Sequence, residues 1–570
     1  MFGTGVSPGI SIGTAHILRK KGHRASGVRV TGEEGRRQEA ILYNAAVDAA
    51  VKEISDIRAN TSASLQKSEL DILDTQIEFL TDPQIRTDVL EKINMEYRTA
   101  ADSVIEVIDA AVAMFESMDD DYLRERSADI RDIGDRLLKH LLPDTGDRLD
   151  RLPENTILVA DDITPSDIIS LDISRITGIA TRKGGTTSHT AIIARSRGIP
   201  AVVACGEGLS VISRNDRIVL DGSTGELIIN PDGETEKACR LRQQQFNREK
   251  DLLQSLKDKP AVTTDGQRIN LYGNIAGPAD LGRLQASGGE GVGLLRTELL
   301  FLDRETMPDE DEQFEFYREV AEKAKGKPVI VRTLDIGGDK QLPYLAIPSE
   351  ANPFMGYRAI RLSLDRRDIF LTQLRAILRA AKYGDLRLMF PMISTVAEVR
   401  SARECIRQAE ADLRKGGFDF REKIVTGIMI EIPAAALIAD RLAAEVDFFS
   451  IGTNDLCQYT LAADRMNERV AYLCNHFNPS VLKLISYTIE QAQMKGIHAG
   501  LCGEMAGDPL ATSLLIGMGL KDFSMSSSSI PVIKNIIRKL SMGDAIKIWH
   551  EVREMTDTEE ITGYLRKSAL

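Results

Sequence analysis

The spacing of apolar residues changes several times along the chain. Residues 1–20 carry short extended runs broken by glycine. From about Glu33 to His140 apolar positions recur at three- and four-residue steps, as in AILYNAAVDAAVKEISDIRA and SADIRDIGDRLLKHL. That is the period of an amphipathic helix. The block carries few strand signals and predicts a helical subdomain of about four helices. At Asn155 the texture shifts to short apolar runs. TILVADDITPSDI predicts a strand, a turn and a helix start, with Thr164, Pro165, Ser166 and Asp167 at that start. RITGIATRKGG predicts a strand then a loop, AVVAC a strand, and RIVLDGSTGELIIN a hairpin. The charged segment EKACRLRQQQFNREKDLLQSLKDK predicts a connecting helix.

Beyond it the rhythm is regular. Eight strand-like runs alternate with helical ones: RINLYGNI, GVGLLRTE, PVIVRTLDIGG, LRLMFPMI, VTGIMIEIP, VDFFSIGTND, HAGLCGEM and DFSMS. Several end in polar residues or glycine at their C-terminal edge. Eight parallel strands with functional residues at those edges describe a (β/α)8 barrel. The fold class predicted is therefore multidomain α/β. Residues 1–20 and 146–230 form an α/β domain, 21–145 an inserted helical subdomain, 231–258 a linker helix and 259–570 the barrel.

Composition narrows the function class. A chain of 570 residues is too long for one core, and 43% hydrophobic with 28% charged residues suits a soluble globular protein. No apolar run approaches the ~18 residues that span a bilayer. MFGTGVSPGISIG has no basic stretch leading into an apolar one, so no secretory signal is expected. The net charge of −13 argues against general nucleic-acid binding. It leaves room for a local basic pocket. The six cysteines, Cys205, Cys239, Cys405, Cys457, Cys474 and Cys502, form no C-x-x-C pair. They predict free thiols in a reducing cytoplasm.

The strand ends collect unusual chemistry. GVGLLRTE supplies Arg296, and VIVRTLDIGGDK supplies Arg332, Asp335 and Lys340. GYRAIR supplies Arg358, IMIEIP Glu431, SIGTNDL Asn454 and Asp455, AADRMN Arg465, and LCGEMAGD Cys502 and Glu504. Several guanidiniums around one cavity suit a small polyanion, since arginine forks carboxylate and phosphate. Glu431 and Asp455 offer two oxygen ligands for a hard cation such as Mg²⁺. No two histidines lie at zinc-like spacing. Any one of these residues alone reads as a cap or surface ion pair, but the set at successive strand ends does not. Asp335 and Glu504 stand between site and scaffold. His476 and His498 read as structural.

A second candidate lies in GGTTSHTAIIARSRGIP, Gly184 to Pro200. Gly184 and Gly185 let backbone N–H groups approach an oxyanion. A helix starting near Ser188 would turn its positive end toward His189, favouring a neutral, nucleophilic imidazole. His189 is thus a candidate for covalent phosphorylation. Equally, it could cap the helix or bind phosphate without reacting.

At these residues the chain resembles a known family. GGTTSHTAIIARSRGIPAVV is similar to the phosphohistidine signature shared by enzyme I of the bacterial phosphoenolpyruvate:sugar phosphotransferase system, pyruvate phosphate dikinase and phosphoenolpyruvate synthase. DFFSIGTNDLCQYTLAADRMN resembles the second signature of that superfamily, on its barrel. GVGLLRTELLF, RTLDIGGDK, NPFMGYRAIR, MFPMI and LCGEMAGD match enzyme I in order, over the whole chain. The resemblance implies phosphoenolpyruvate bound in the barrel, with Glu431 and Asp455 as Mg²⁺ ligands. It implies that Arg296, Arg332, Arg358 and Arg465 hold phosphate and carboxylate, with Asn454 assisting. His189 would take the phosphoryl group through Nε2, and Cys502 would protonate the leaving enolate to pyruvate. The helical block would dock the phosphocarrier HPr, which receives the phosphoryl group. A cytoplasmic homodimer joined through the barrel is implied as well.

Departures from the family pattern stand out. Thr186 occupies a position where the family has arginine, and Ala351 one where it often has glutamate. In the helical block, QIEFLTDPQIRTD, Gln76 to Asp88, replaces a His-x-Met-Leu-Leu stretch followed by acidic residues. Pro83 and Arg86 reduce its acidic character, which bears on carrier choice because complementary charge steers docking.

Overall fold

The computed structural model describes residues 1–570 except 19–24, 62–75, 118–120, 143–151, 164–172, 187, 303, 339–341, 346, 348–349 and 569–570. The helix start expected at Thr164 to Asp167 lies outside the described residues, as do Thr187 and Lys340. The chain divides into two compact units, Met1–Glu249 and Lys250–Leu570.

The first unit holds a seven-stranded sheet and a helical block. The sheet comprises β1 (Thr4–Ser7), β2 (Ile10–Leu18), β3 (Thr156–Ala160), β4 (Ile176–Thr181), β5 (Ala201–Val203), β6 (Arg217–Asp221) and β7 (Glu226–Ile229), ordered β1-β5-β4-β3-β2-β6-β7. Strands β2 to β5 are parallel, while β1, β6 and β7 pair antiparallel. The β6–β7 hairpin is the one the alternation in RIVLDGSTGELIIN predicts. Parallel pairing sets Thr14 opposite Thr156 and Leu18 opposite Ala160, so the chain leaves the sheet at the end of β2 and crosses back to start β3 level with Thr14. That excursion contains the helical block.

The helical block packs helices Gly32–Thr61, Pro83–Met95, Ala100–Glu116 and Asp121–Leu141 around Tyr43, Ile54, Val104 and Leu137. Local chemistry sets their ends. Asp82 caps the second of these helices, accepting from Gln84 N at 2.7 Å and Ile85 N at 3.2 Å, and Pro83 occupies the first turn. A proline lacks the N–H that this position would leave unpaired.

The second unit is the barrel. Strands β8 (Asn270–Ile275), β9 (Val292–Leu295), β10 (Val329–Arg332), β11 (Leu386–Phe390), β12 (Thr426–Ile430), β13 (Phe448–Ile451), β14 (His498–Leu501) and β15 (Asp522–Met525) pair in parallel and close on themselves, β15 against β8. Each falls within one of the eight predicted runs. These strands read as nearly continuous apolar runs because helices cover the barrel's outside, as parallel sheets require. A helix spans Gly233–Ser255 where the linker is predicted. No helix among the described residues is long and apolar enough to cross a membrane.

Candidate functional site

The barrel strands end in short loops whose first residues turn inward. Arg296 follows β9, Arg332 closes β10, Glu431 follows β12, and Cys502 follows β14. Asn454 and Asp455 sit in the first turn of helix Thr453–Leu461, directly after β13. Arg358 and Arg465 arrive from loops. All eight line one cavity of about 220 Å³, together with Asp335, Phe354 and Gly503. That is below the range for drug-sized ligands and fits a small metabolite.

Two glycines make the walls possible. Gly337 sits at φ +110°, and a Cβ there would stand 2.6 Å from Arg358 Cβ. The strand-end segment can therefore lie against Arg358 only without a side chain. Gly503 is equally constrained, its Cβ position falling 1.9 Å from Thr453 Oγ1. This close approach sets Cys502 beside the helix that carries Asn454 and Asp455. Asn454 Oδ1 accepts from Glu504 N at 3.2 Å across the same contact.

Electrostatics set the protonation states. Arg332, 7% exposed, pairs with Glu298 and with Asp335, whose Oδ2 is 3.0 Å from Nη1. Burial opposes its charge, but Glu298, Asp335 and Glu431 outweigh burial and hold it protonated. Glu431 is 1% exposed and accepts from Met392 N at 2.5 Å. Burial, then the Asp455 and Asp335 carboxylates, push its pKa up, against Arg332 and the Met392 N–H. Asp455 Oδ1 is buried with no hydrogen-bond donor, and Arg465 Nη1 stands 3.5 Å away. Crowded carboxylates, one with an unsatisfied oxygen, are what a hard divalent cation relieves. Glu431 and Asp455 therefore fit a metal ion. The Cys502 thiol is pushed up to about 11, chiefly by burial, so it carries its proton at neutral pH. Its Sγ faces Ile451 O at 3.7 Å, and its own carbonyl accepts from Asn274 Nδ2 at 2.9 Å.

The comparisons with known proteins agree with this chemistry. Family models described as PEP-utilising enzyme match three stretches: the N-terminal model residues 2–126, the mobile domain 152–225, and the PEP-binding domain 250–542. Phosphoenolpyruvate-protein phosphotransferase of Bacillus subtilis (strain 168) is 43% identical over 566 residues, covering 99% of each chain. That of Staphylococcus carnosus (strain TM300) is 42% identical, covering 98% of this chain and 97% of its own. A solution structure of Enzyme I (nEIt) is 33% identical over 43% of this chain and 99% of its own, with a TM-score of 0.37. The chain belongs to the phosphoenolpyruvate-protein phosphotransferase family. It is an enzyme that moves the phosphoryl group of phosphoenolpyruvate onto protein.

A phosphoenolpyruvate-protein phosphotransferase also needs a phosphoryl acceptor, and the sequence candidate lies in the first unit. His189 opens helix His189–Arg197, whose N-cap is Ser188 and whose C-cap is Gly198 at φ 66°. Ser188 Oγ accepts from Ala191 N at 3.4 Å, so the helix begins where the sequence places it. Arg195 ties the loop down, donating from Nε to Val6 O at 2.7 Å and from Nη2 to Thr186 O at 2.5 Å. Thr186 is itself exposed.

Some sequence readings sharpen. Asp335 lines the cavity, while Glu504 contributes its backbone N–H to the Asn454 contact and its side chain is exposed. His476 pairs with Asp508 at 3.0 Å, and His498 stands 3.6 Å from Asp522 at the opposite end of β14 from Cys502. Glu298 and Tyr459 were not singled out in the sequence. Both sit in quoted motifs, but only the fold shows them against Arg332 and Arg358. In the helical block, Gln76 is buried and donates to Asp132 Oδ2 at 2.8 Å, so it packs the interior instead of facing a carrier. Arg86 is exposed and donates to Asn44 Oδ1 at 2.8 Å.

Proposed function

We propose that phosphoenolpyruvate binds in the barrel cavity and phosphorylates His189, which passes the group to a histidine of HPr. The observation that carries this reading is the convergence of four guanidiniums, three crowded carboxylates and a protonated thiol on one small cavity. Arg296, Arg332, Arg358 and Arg465 hold the phosphate and carboxylate of the substrate, and Asn454 steadies the phosphate end. Glu431 and Asp455 hold Mg²⁺. Bound there, the ion supplies charge neutralisation at the substrate oxygens.

His189 Nε2 attacks phosphorus in line as the enol oxygen leaves, so one N–P bond forms and one P–O bond breaks. The electron pair returns to the enolate. Cys502 gives its proton to the methylene carbon, and pyruvate departs. The arginines stabilise charge where it spreads in the transition state, and little covalent work falls to the rest of the protein. The Ser188-capped helix favours the neutral imidazole that attacks.

His189 and the cavity belong to different units, so turnover requires the α/β domain that carries His189, residues 1–20 and 146–230, to swivel between cavity and carrier. Helix Gly233–Ser255 is the connector for that movement. The helical block, 21–145, is the carrier-binding surface. The enzyme is cytoplasmic and dimerises through the barrel. Incubation with ³²P-labelled phosphoenolpyruvate and Mg²⁺ tests the reading. Acid-labile, base-stable label should appear on the wild type and be absent from His189→Ala. Equal labelling of both proteins, or label on neither, would remove His189 from the mechanism.

A further inference from the structure

Asp335 follows β10 and is 2% exposed. Its two oxygens face different arginines. Oδ2 lies 3.0 Å from Arg332 Nη1, while Oδ1 accepts from Arg358 Nη2 at 2.9 Å and from Nε at 3.3 Å. Each guanidinium has a further partner on another side. Arg332 donates to Glu298. Arg358 Nη1 donates to the Tyr459 hydroxyl at 3.3 Å, and that hydroxyl donates to Phe354 O at 2.5 Å. Arg296 and Arg465 differ, being exposed.

Two guanidiniums on one small cavity repel each other, and each side chain carries large rotamer freedom. A buried carboxylate between them cancels the repulsion and selects one rotamer for each before substrate arrives. That is preorganisation, whose value lies in avoiding reorganisation during the reaction. A plain fold staple is the competing explanation. Buried ion pairs are poor staples, since apolar replacements are commonly as stable. The backbone also favours a site role. Gly337 brings the Asp335 segment against Arg358, and Ala359 N donates to Ile336 O at 3.1 Å. This local path seats Asp335 and Arg358 together at the cavity wall.

We infer that Asp335 is a positioning residue for phosphotransfer, one carboxylate that sets the Arg332 and Arg358 guanidiniums at a fixed separation to receive the substrate's anionic groups. The inference rests on the reading of both arginines as substrate ligands.

The test uses the full-length enzyme with Mg²⁺, phosphoenolpyruvate and carrier. Wild type, Asp335→Asn, Arg358→Ala and the double variant are compared by kcat and KM, at temperatures where circular dichroism shows each folded. An asparagine carbonyl can accept from one arginine, but its amide N–H₂ turns a donor toward the other. Asp335→Asn should lower kcat/KM by roughly 100-fold, the scale of a displaced ligand. In the Arg358→Ala background the same change should cost less than about tenfold, because one of the two guanidiniums whose separation the carboxylate sets is already gone. Equal losses in both backgrounds would overturn the inference and leave the substrate reading standing. Wild-type activity in Arg358→Ala would instead overturn the reading of Arg358 itself. If Asp335→Asn does not fold, Asp335→Glu carries the test, since it keeps the buried charge and moves the carboxylate by one methylene. It should show a comparable loss, and wild-type kcat/KM in that variant would sink the proposal.

Discussion

Gly503 and Thr453 meet so closely that a Cβ on the glycine would stand 1.9 Å from the threonine hydroxyl. Two strand ends join through this contact. Cys502 lies on one side and Asn454 with Asp455 on the other. Gly503→Ala should therefore separate the Cys502 thiol from the helix turn that carries Asn454 and Asp455. Overpacking of this kind costs about 1–3 kcal/mol. A lower melting temperature and at least a tenfold fall in kcat/KM, roughly the effect of a small displacement, are the expected outcomes. Thr453→Ala in the same chain should recover part of the lost stability, which thermal melts would show.

Cys502 carries a pKa raised by burial to about 11 from its ordinary 9.0. The folded thiol stays protonated where the unfolded one ionises. Its contribution to stability is complete below pH 9 and is lost as pH rises from there toward 11. Cys502→Ser should flatten that part of the alkaline stability curve, and denaturant titrations between pH 8 and 11, roughly the window of the linkage, measure it. The same variant should bind phosphoenolpyruvate normally but form pyruvate about 10²–10⁴-fold more slowly, the usual worth of a positioned acid. Rapid pyruvate formation in Cys502→Ser would assign the proton to another group.

Thr186 is exposed, and its carbonyl, not its side chain, takes the Arg195 hydrogen bond. Thr186→Arg should leave the fold intact and add a cation in the loop that precedes His189. Hydrolysis of a phosphohistidine proceeds through a protonated ring, which a neighbouring cation disfavours. The phosphorylated enzyme should then survive longer, by a factor of a few on the scale of one screened charge pair. Loss of ³²P label over time distinguishes the two proteins.

Gln76 and Arg86 lie in one sequence run but in different environments. Gln76→Leu removes the donor to buried Asp132 and should cost about 1–3 kcal/mol of stability with carrier kinetics unchanged. Arg86→Glu should leave stability nearly untouched and alter the carrier association rate and its salt dependence. Stopped-flow phosphotransfer at several ionic strengths, paired with melting curves, separates the two.

The barrel was legible in the sequence because each strand is a local apolar run with chemistry at its C-terminal edge. Arg296, Arg332, Glu431, Asp455 and Cys502 could all be found that way, one strand at a time. The helix opening at His189 was legible too, since Ser188 and Gly198 are local caps. The role of Asp335 was not legible. An acidic residue three places after Arg332 reads equally as cap or ligand until Arg358, 23 residues later, is seen against its other oxygen. Glu298 was hidden for the same reason, because its partner sits on the next strand.

Gln76 shows the limit most clearly. A polar residue at the head of a run that resembles a docking surface reads as exposed, yet it is 1% exposed and bonded to a residue 56 positions away. Alternation, capping and motif spacing act over a few residues, and they settled the strands, the helix ends and the inventory of reactive side chains. Which of those side chains share a cavity, which carboxylate serves two arginines, and which polar group is buried depend on contacts between distant segments. Those contacts form only when parallel strands close into a barrel and the helices pack, because burial and low dielectric are properties of the assembled core.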